Sequence, residues 1–236
     1  MKRALFLTAY NRPEYLRQTL ETWREVRGFY DWPIYAMIEP SRCQAEIVSM
    51  FEELEHDNIL ISINPQRYGV LHHPWVGFDN LFRTYDFVVR AEDDLLVSTD
   101  ILEYFTWASL EYRDDSSVGA VTGYTNEEGE PDGVHRLVDF SPLVWGTWGD
   151  RWESFMRDTW DHDYSTFTGA LGINSGWDWN LKTRLFPEMK LTSVFPTSSR
   201  VQNIGVFGTH ATVENFITSN SFVCHREPCT YQEVIR

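Results

Sequence analysis

Phe87-Val88-Val89-Arg90-Ala91-Glu92-Asp93-Asp94-Leu95 decides the architecture of this chain. The first five residues form a short apolar run of the kind that makes a buried strand. Three adjacent carboxylates then close it. Carboxylates crowded at the end of a core strand repel one another and lose hydration, so folding alone does not favour them. A divalent cation removes that penalty. Hard oxygen ligands suit magnesium or manganese, and such an ion can also hold the phosphates of a nucleotide. Taken alone, the triplet is equally compatible with a solvated acidic turn.

On either side of this stretch, strand and helix patterns alternate over roughly the first 120 residues, which predicts an α/β fold with a mostly parallel sheet. Ala4–Thr8, Ile34–Ile38, Ile59–Ile63 and Val118–Thr122 read as further strands. Leu16, Leu20 and Trp23 recur on one helical face behind Pro13, a residue that a first helical turn tolerates. Ile47, Phe51 and Leu54 mark a second helix, and a third is expected around Val76–Tyr85, with His72-His73 before Pro74 read as loop. Ser98-Thr99-Asp100 supplies cap residues for a fourth helix, on which Ile101, Phe105, Ala108 and Tyr112 share a face. In open sheets of this type ligands bind beyond the carboxyl ends of the strands. Tyr10-Asn11-Arg12, Glu39 and Glu92-Asp93-Asp94 all fall at such ends, so one crevice is expected to collect them. From Asn126 onward, glycines, prolines and tryptophans break the pattern. The expectation is one domain over residues 1–236, with 1–97 as a nucleotide-binding half and 98–236 as an acceptor-binding half.

The 236 residues hold 20 Lys and Arg against 35 Asp and Glu, a formal charge of −15. That balance disfavours broad contact with a nucleic-acid backbone or an anionic membrane, although a local basic patch would survive it. No segment approaches the length of a membrane span, and the first apolar run is too short for a signal peptide. With an odd number of cysteines (Cys43, Cys224 and Cys229), these features predict a soluble, cytoplasmic protein.

Asp94 is the expected direct metal ligand, because only one or two of three neighbours can point at one ion. Glu92 and Asp93 would accept hydrogen bonds from ribose or sugar hydroxyls. Arg12, at a helix N-terminus, would pair with a phosphate. The loop around it, Thr8–Pro13, lacks the glycines of a dinucleotide fingerprint or a P-loop, which counts against those enzyme classes. Asp178 lies between Trp177 and Trp179. A carboxylate between two indoles loses hydration and gains pKa, the properties of a general base; Asp150, Glu153, Asp161 and Asp163 stand in weaker contexts. Trp148 and Trp177, flanked by glycines and carboxylates, are the candidate sugar-stacking rings, although a tryptophan is more often core. His210 is a candidate for the metal or a phosphate.

These residues also carry a family resemblance. Phe87–Leu95, followed by Asp100-Ile101-Leu102-Glu103-Tyr104-Phe105, resembles the valine-rich strand, EDDL motif and FEYF-like helix of metal-dependent GT-A glycosyltransferases. The similarity is greatest to the N-acetylglucosaminyltransferase I group, which includes the protein O-mannose N-acetylglucosaminyltransferases. Val121–Asn126 resembles its VSAWND stretch, and Asp139–Trp148 its DFFPGLGW acceptor loop. Thr8–Pro13 looks equally like the opening of family 2 glycosyltransferases. The resemblance implies a GT-A fold with helices on both faces of the sheet, a nucleotide-sugar donor, manganese or magnesium, and inversion at the anomeric carbon. It places Asp94 on the metal; Glu92, Asp93, Tyr10, Arg12, Glu39 and Trp148 about the donor; and Asp178 as catalytic base. Ser199-Arg200 and Gly208-Thr209-His210 resemble a late loop that closes over the donor.

Two motifs depart from the family pattern. WDDW reads Trp177-Asp178-Trp179-Asn180 here, so one acidic position is lost, and the glycine-rich acceptor loop becomes Leu143-Val144-Trp145-Gly146-Thr147. The acceptor would be a glycan, a protein or another hydroxyl compound. Two other classes stay open at the level of sequence: a non-catalytic carbohydrate-binding protein and a metal-dependent phosphohydrolase.

Overall fold

The computed structural model describes residues 1–162, 176–205 and 224–234. Its first half is a series of strand–helix units: β1 (Arg3–Ala9), α1 (Pro13–Arg24), β2 (Ile34–Ile38), α2 (Gln44–Glu52), β3 (Ile59–Ile63), α3 (Gly69–Leu81) and β4 (Phe87–Ala91). Then follow β5 (Leu95–Val97), α4 (Ile101–Glu111), β6 (Val118–Thr122), β7 (Gly133–Leu137), β8 (Trp145–Trp148) and the short α5 (Gly149–Arg151). The later elements are α6 (Trp177–Asn180), α7 (Phe186–Met189), β9 (Thr192–Pro196), β10 (Val201–Asn203) and β11 (Gln232–Glu233).

Nine strands form one sheet in the order β11-β7-β9-β6-β8-β4-β1-β2-β3. The β3-β2-β1-β4 block is parallel throughout, while β8 runs antiparallel between β4 and β6. The carboxyl ends of four neighbouring strands therefore lie side by side.

The period-two pattern of these strands serves two cores. Leu5, Leu7, Ala9, Phe87, Val89 and Ala91 share an apolar cluster with residues of α1, α2 and α4, among them Leu20, Phe51 and Phe105. The alternate residues Phe6 and Val88 cluster with Phe78 and Leu81 of α3 and with Trp145, Leu181 and Phe186. Helices thus cover both faces, and each fully buried Leu or Phe contributes about 1.5–3 kcal/mol. α3 can lie close against β1 because residue 77 is glycine. A Cβ there would stand 2.0 Å from the Phe6 ring.

Two local expectations are corrected. α3 starts at Gly69, so His72, His73 and Pro74 are helical rather than loop. Its first N–H groups find a buried carboxylate: Tyr68 N and Gly69 N donate to Glu39, and this offsets the bond that Pro74 removes. Next, the triplet leads into β5, which pairs antiparallel with β10, before α4 begins. Asp100 precedes α4 without a side-chain cap; its carboxylate instead accepts from Ser98 Oγ at 2.6 Å and from Arg200 Nε at 3.0 Å. Among the described residues no helix is long and apolar enough to cross a membrane.

Candidate active site

The triplet sits at the end of β4, and its backbone is pinned by the neighbouring helix. Thr19 Oγ1 of α1 donates to Asp93 O at 3.1 Å and accepts from Leu95 N at 3.2 Å. One turn on, Thr22 Oγ1 accepts from Val97 N. A helix dressed with threonines on the side facing the loop supplies the partners that an irregular segment lacks.

Asp93 and Asp94 are both buried and share one cation. Arg12 Nη2 donates to Asp93 Oδ1, and Arg12 Nη1 donates to Asp94 Oδ2 at 2.6 Å. Tyr10 N adds a bond to Asp93 Oδ2 at 3.2 Å. Among the described residues Asp94 Oδ1 is buried without a hydrogen-bond partner. Burial pushes the Asp94 carboxyl up to about 7, with Glu92 and Asp93 adding to it and Arg12 opposing. Burial also raises Asp93, again against Arg12. Desolvation works against the Arg12 cation, but Asp93 and Asp94 outweigh it and hold the guanidinium above its usual pKa.

Two aspartates thus face one guanidinium, and among the described residues one buried carboxylate oxygen has no donor. Among the described residues no group of three or more His, Cys, Asp or Glu side chains converges as a metal site, but a single buried carboxylate oxygen is the kind of ligand a hard divalent cation takes. Asp94, which could supply one such oxygen, lies beside the backbone of residue 205, where a Cβ would stand 2.1 Å from Asp94 Oδ2.

Glu92 is half-buried and turns the other way. Its Oε1 accepts from Arg90 Nη2 at 2.7 Å, and the Arg90 guanidinium lies 5.2 Å from the centre of the Trp177 ring. Asp178 follows on α6, within electrostatic reach of Glu92: burial first, and then the Glu92 charge, raise its pKa, while the Trp179 N–H works against them. The sequence pairs Asp178 with an indole environment, and the fold adds a carboxylate neighbour from β4.

Other candidates stand elsewhere. Glu39 is 3% exposed, and its oxygens accept from Asn64 Nδ2, Tyr68 N and Gly69 N. It is a helix-start cap rather than an open nucleotide contact. Trp148 is corrected as a donor contact: it is buried opposite Phe87, at the start of β4 and not its end, with Nε1 donating to Ser109 O. Trp177 is likewise core, stacked between Trp145 and Trp160 with ring centres at 5.8 and 4.7 Å. Arg200, resembling part of a donor-closing loop, is fully buried on Asp100 between the rings of Tyr104 and Tyr231. Asp150 and Glu153 pair with Arg151 and Arg157. His210 and Asp163 lie outside the described residues.

The structure also places residues that the sequence reading passed over. Arg67, after β3, stacks its guanidinium 4.6 Å from the centre of the ring of Tyr10, whose N–H bonds Asp93. His73 is buried with Nδ1 3.6 Å from Glu39 Oε1, and burial together with Arg90 pushes its pKa down to about 3. Arg67 follows a strand end, so the strand-end rule could have found it. His73 was hidden by the misplaced start of α3.

No protein-family model matches the chain, and no curated protein matches it in sequence. Solved structures do resemble it. A mannosyltransferase from Pyrobaculum calidifontis, solved with GDP-Man and Mn2+, superposes with a TM-score of 0.59 at 15% identity, covering 83% of this chain and 54% of that one. S. aureus TarS 1-349 in complex with UDP-GlcNAc gives 0.57 at 11% identity over 92% of this chain and 63% of that one. GalNAc-T7 with UDP, GalNAc and Mn2+ gives 0.62 at 10% identity over 86% and 44%. The chain spans between 44% and 63% of these neighbours' lengths. The fold is therefore that of the GT-A glycosyltransferases, a mixed α/β architecture with a large, mostly parallel central sheet.

Proposed function

We propose that this protein is a metal-dependent, inverting glycosyltransferase that moves a sugar from a nucleoside-diphosphate donor to an acceptor hydroxyl. The observation that carries the reading is the constellation at the end of β4: two buried aspartates with a vacant carboxylate oxygen, a guanidinium beside them, and a raised-pKa aspartate within reach of Glu92. The neighbours' bound GDP-Man, UDP-GlcNAc and Mn2+ support the same reading.

A divalent ion bound at Asp94 would supply Lewis-acid neutralisation of the departing diphosphate. Arg12 adds a second positive charge for the phosphates, and the Tyr10–Arg67 stack offers a flat surface for the base. Asp178, little hydrated and near Glu92, takes the proton from the attacking hydroxyl. A base in this position typically contributes a hundred- to ten-thousandfold in rate. The likeness of Phe87–Leu95 to the EDDL segment supports the N-acetylglucosaminyltransferase I group as the relatives in chemistry, and UDP as the nucleotide. The donated sugar is a hexose or N-acetylhexosamine, and the acceptor a glycan, a protein or another hydroxyl compound.

The candidate sugar-stacking rings Trp148 and Trp177 are both core residues, which argues against a lectin-like binding protein. Titration calorimetry with UDP- and GDP-sugars, with and without Mn2+ or Mg2+, tests the proposal, followed by transfer to mixed acceptors. Donor binding that needs the cation is expected. An absence of binding by any nucleotide sugar, with the cation present, would overturn it.

A further inference from the structure

We infer that Arg12 is an exchangeable counter-cation: it clamps Asp93 and Asp94 in the free protein and releases Asp94 to the divalent ion only when a diphosphate takes the guanidinium. The inference rests on the glycosyltransferase reading for its diphosphate part alone.

The geometry makes Arg12 and the ion competitors for one carboxylate. A single guanidinium bridges both aspartates, one bond to each. Asp94 is 5% exposed, its Oδ1 has no partner among the described residues, and the Gly205 backbone lies against Oδ2, the oxygen that Arg12 holds. An ion taken up on this buried carboxylate therefore stands beside the guanidinium charge, and the two cations compete for it. Arg12 can leave without disrupting the fold. Its side chain is 30% exposed, and its backbone (φ −125°, ψ 64°) lies outside α1, so the swing needs no helical residue to move. Asp93 keeps the Tyr10 N–H after Arg12 departs, whereas among the described residues Asp94 keeps no hydrogen bond to its carboxylate.

Charge couples the exchange to the nucleotide. An ion alone must expel a paired guanidinium into water and forfeit two charge-assisted bonds. A diphosphate arriving with the ion gives that guanidinium new anionic oxygens. Cation and nucleotide then help each other bind, and this coupling is reciprocal.

The test is a Mn2+ titration of the full chain followed by electron paramagnetic resonance of free Mn2+, without and with UDP. Arg12→Gln is expected to bind Mn2+ alone at least tenfold more tightly than the wild type. The wild type is expected to gain at least tenfold when UDP is added, and the variant much less. Arg12→Lys keeps the charge but loses the planar fork that gives each aspartate its own nitrogen, so it too should bind Mn2+ alone more tightly; it carries the same test if Arg12→Gln fails to fold. Equal or weaker Mn2+ binding by the variants overturns the inference and leaves the proposed function standing. No Mn2+ binding by any of the proteins, even with UDP, overturns both.

Discussion

The backbone of Gly205 lies against the carboxylate of Asp94, so that a Cβ at position 205 would stand 2.1 Å from Oδ2 and 3.0 Å from Cγ. The contact is held from both sides. Ile204 N donates to Asp94 O at 2.9 Å, and Gly205 N donates to Asn203 Oδ1 at 2.7 Å. Gly205→Ala should therefore displace the Asp94 side chain while leaving the distant core intact. Cation-dependent UDP affinity, measured by calorimetry, is expected to fall at least tenfold with the circular-dichroism spectrum unchanged. Unaltered affinity would show that residue 205 does not shape the site.

Asp178→Asn removes the proposed base but little volume. Transfer should fall by roughly a hundred- to ten-thousandfold, while the affinity for nucleotide sugar and Mn2+ stays within about twofold. Near-normal turnover would take Asp178 out of the mechanism.

The raised pKa of Asp94 makes stability depend on pH with a definite sign. The unfolded carboxyl titrates near 3.8 and the folded one near 7, so between these values the folded state holds the extra proton. Its contribution is fully present below about 3.8 and is lost as pH rises through about 7. In metal-free buffer, Asp94→Asn should thus melt higher than the wild type at pH 8, by a few degrees, and the gap should close toward pH 5. A gap that widens on acidification would contradict the assignment. A cation would compete with that same proton, so Mn2+ affinity should weaken below pH 7.

Arg200 and Asp100 form an ion pair in which both side chains are fully buried. Removing one partner of such a pair strands the other charge and typically costs about 3–5 kcal/mol. Arg200→Met should lower the melting temperature substantially, while the protein that remains folded binds the donor normally. A selective loss of donor affinity at unchanged stability would restore Arg200 to the donor site.

The strands β1, β2, β3, β4 and β6 were legible because each is a compact apolar run flanked by polar breaks. α1 and α4 were legible from residues spaced along one face. The start of α3 was not, since its N-terminal partner is the carboxylate of Glu39, thirty residues earlier in the chain. The triplet marked a strand end at which Tyr10 and Arg12 do meet Asp93. Trp148 and Arg200 were misread for a common reason. Local sequence shows flanking glycines and charges, but not which end of a strand faces the crevice or which buried carboxylate waits for a guanidinium.

The strand order has an engineering consequence. β8, from residues 145–148, is hydrogen-bonded directly to β4, whose end carries the acidic triplet. A truncation after residue 97 would strip β4 of that neighbour and lay open a row of unpaired amides beside Val88 and Val89. Swapping the amino-terminal half into another scaffold to graft donor preference should therefore yield aggregates unless β8 travels with it.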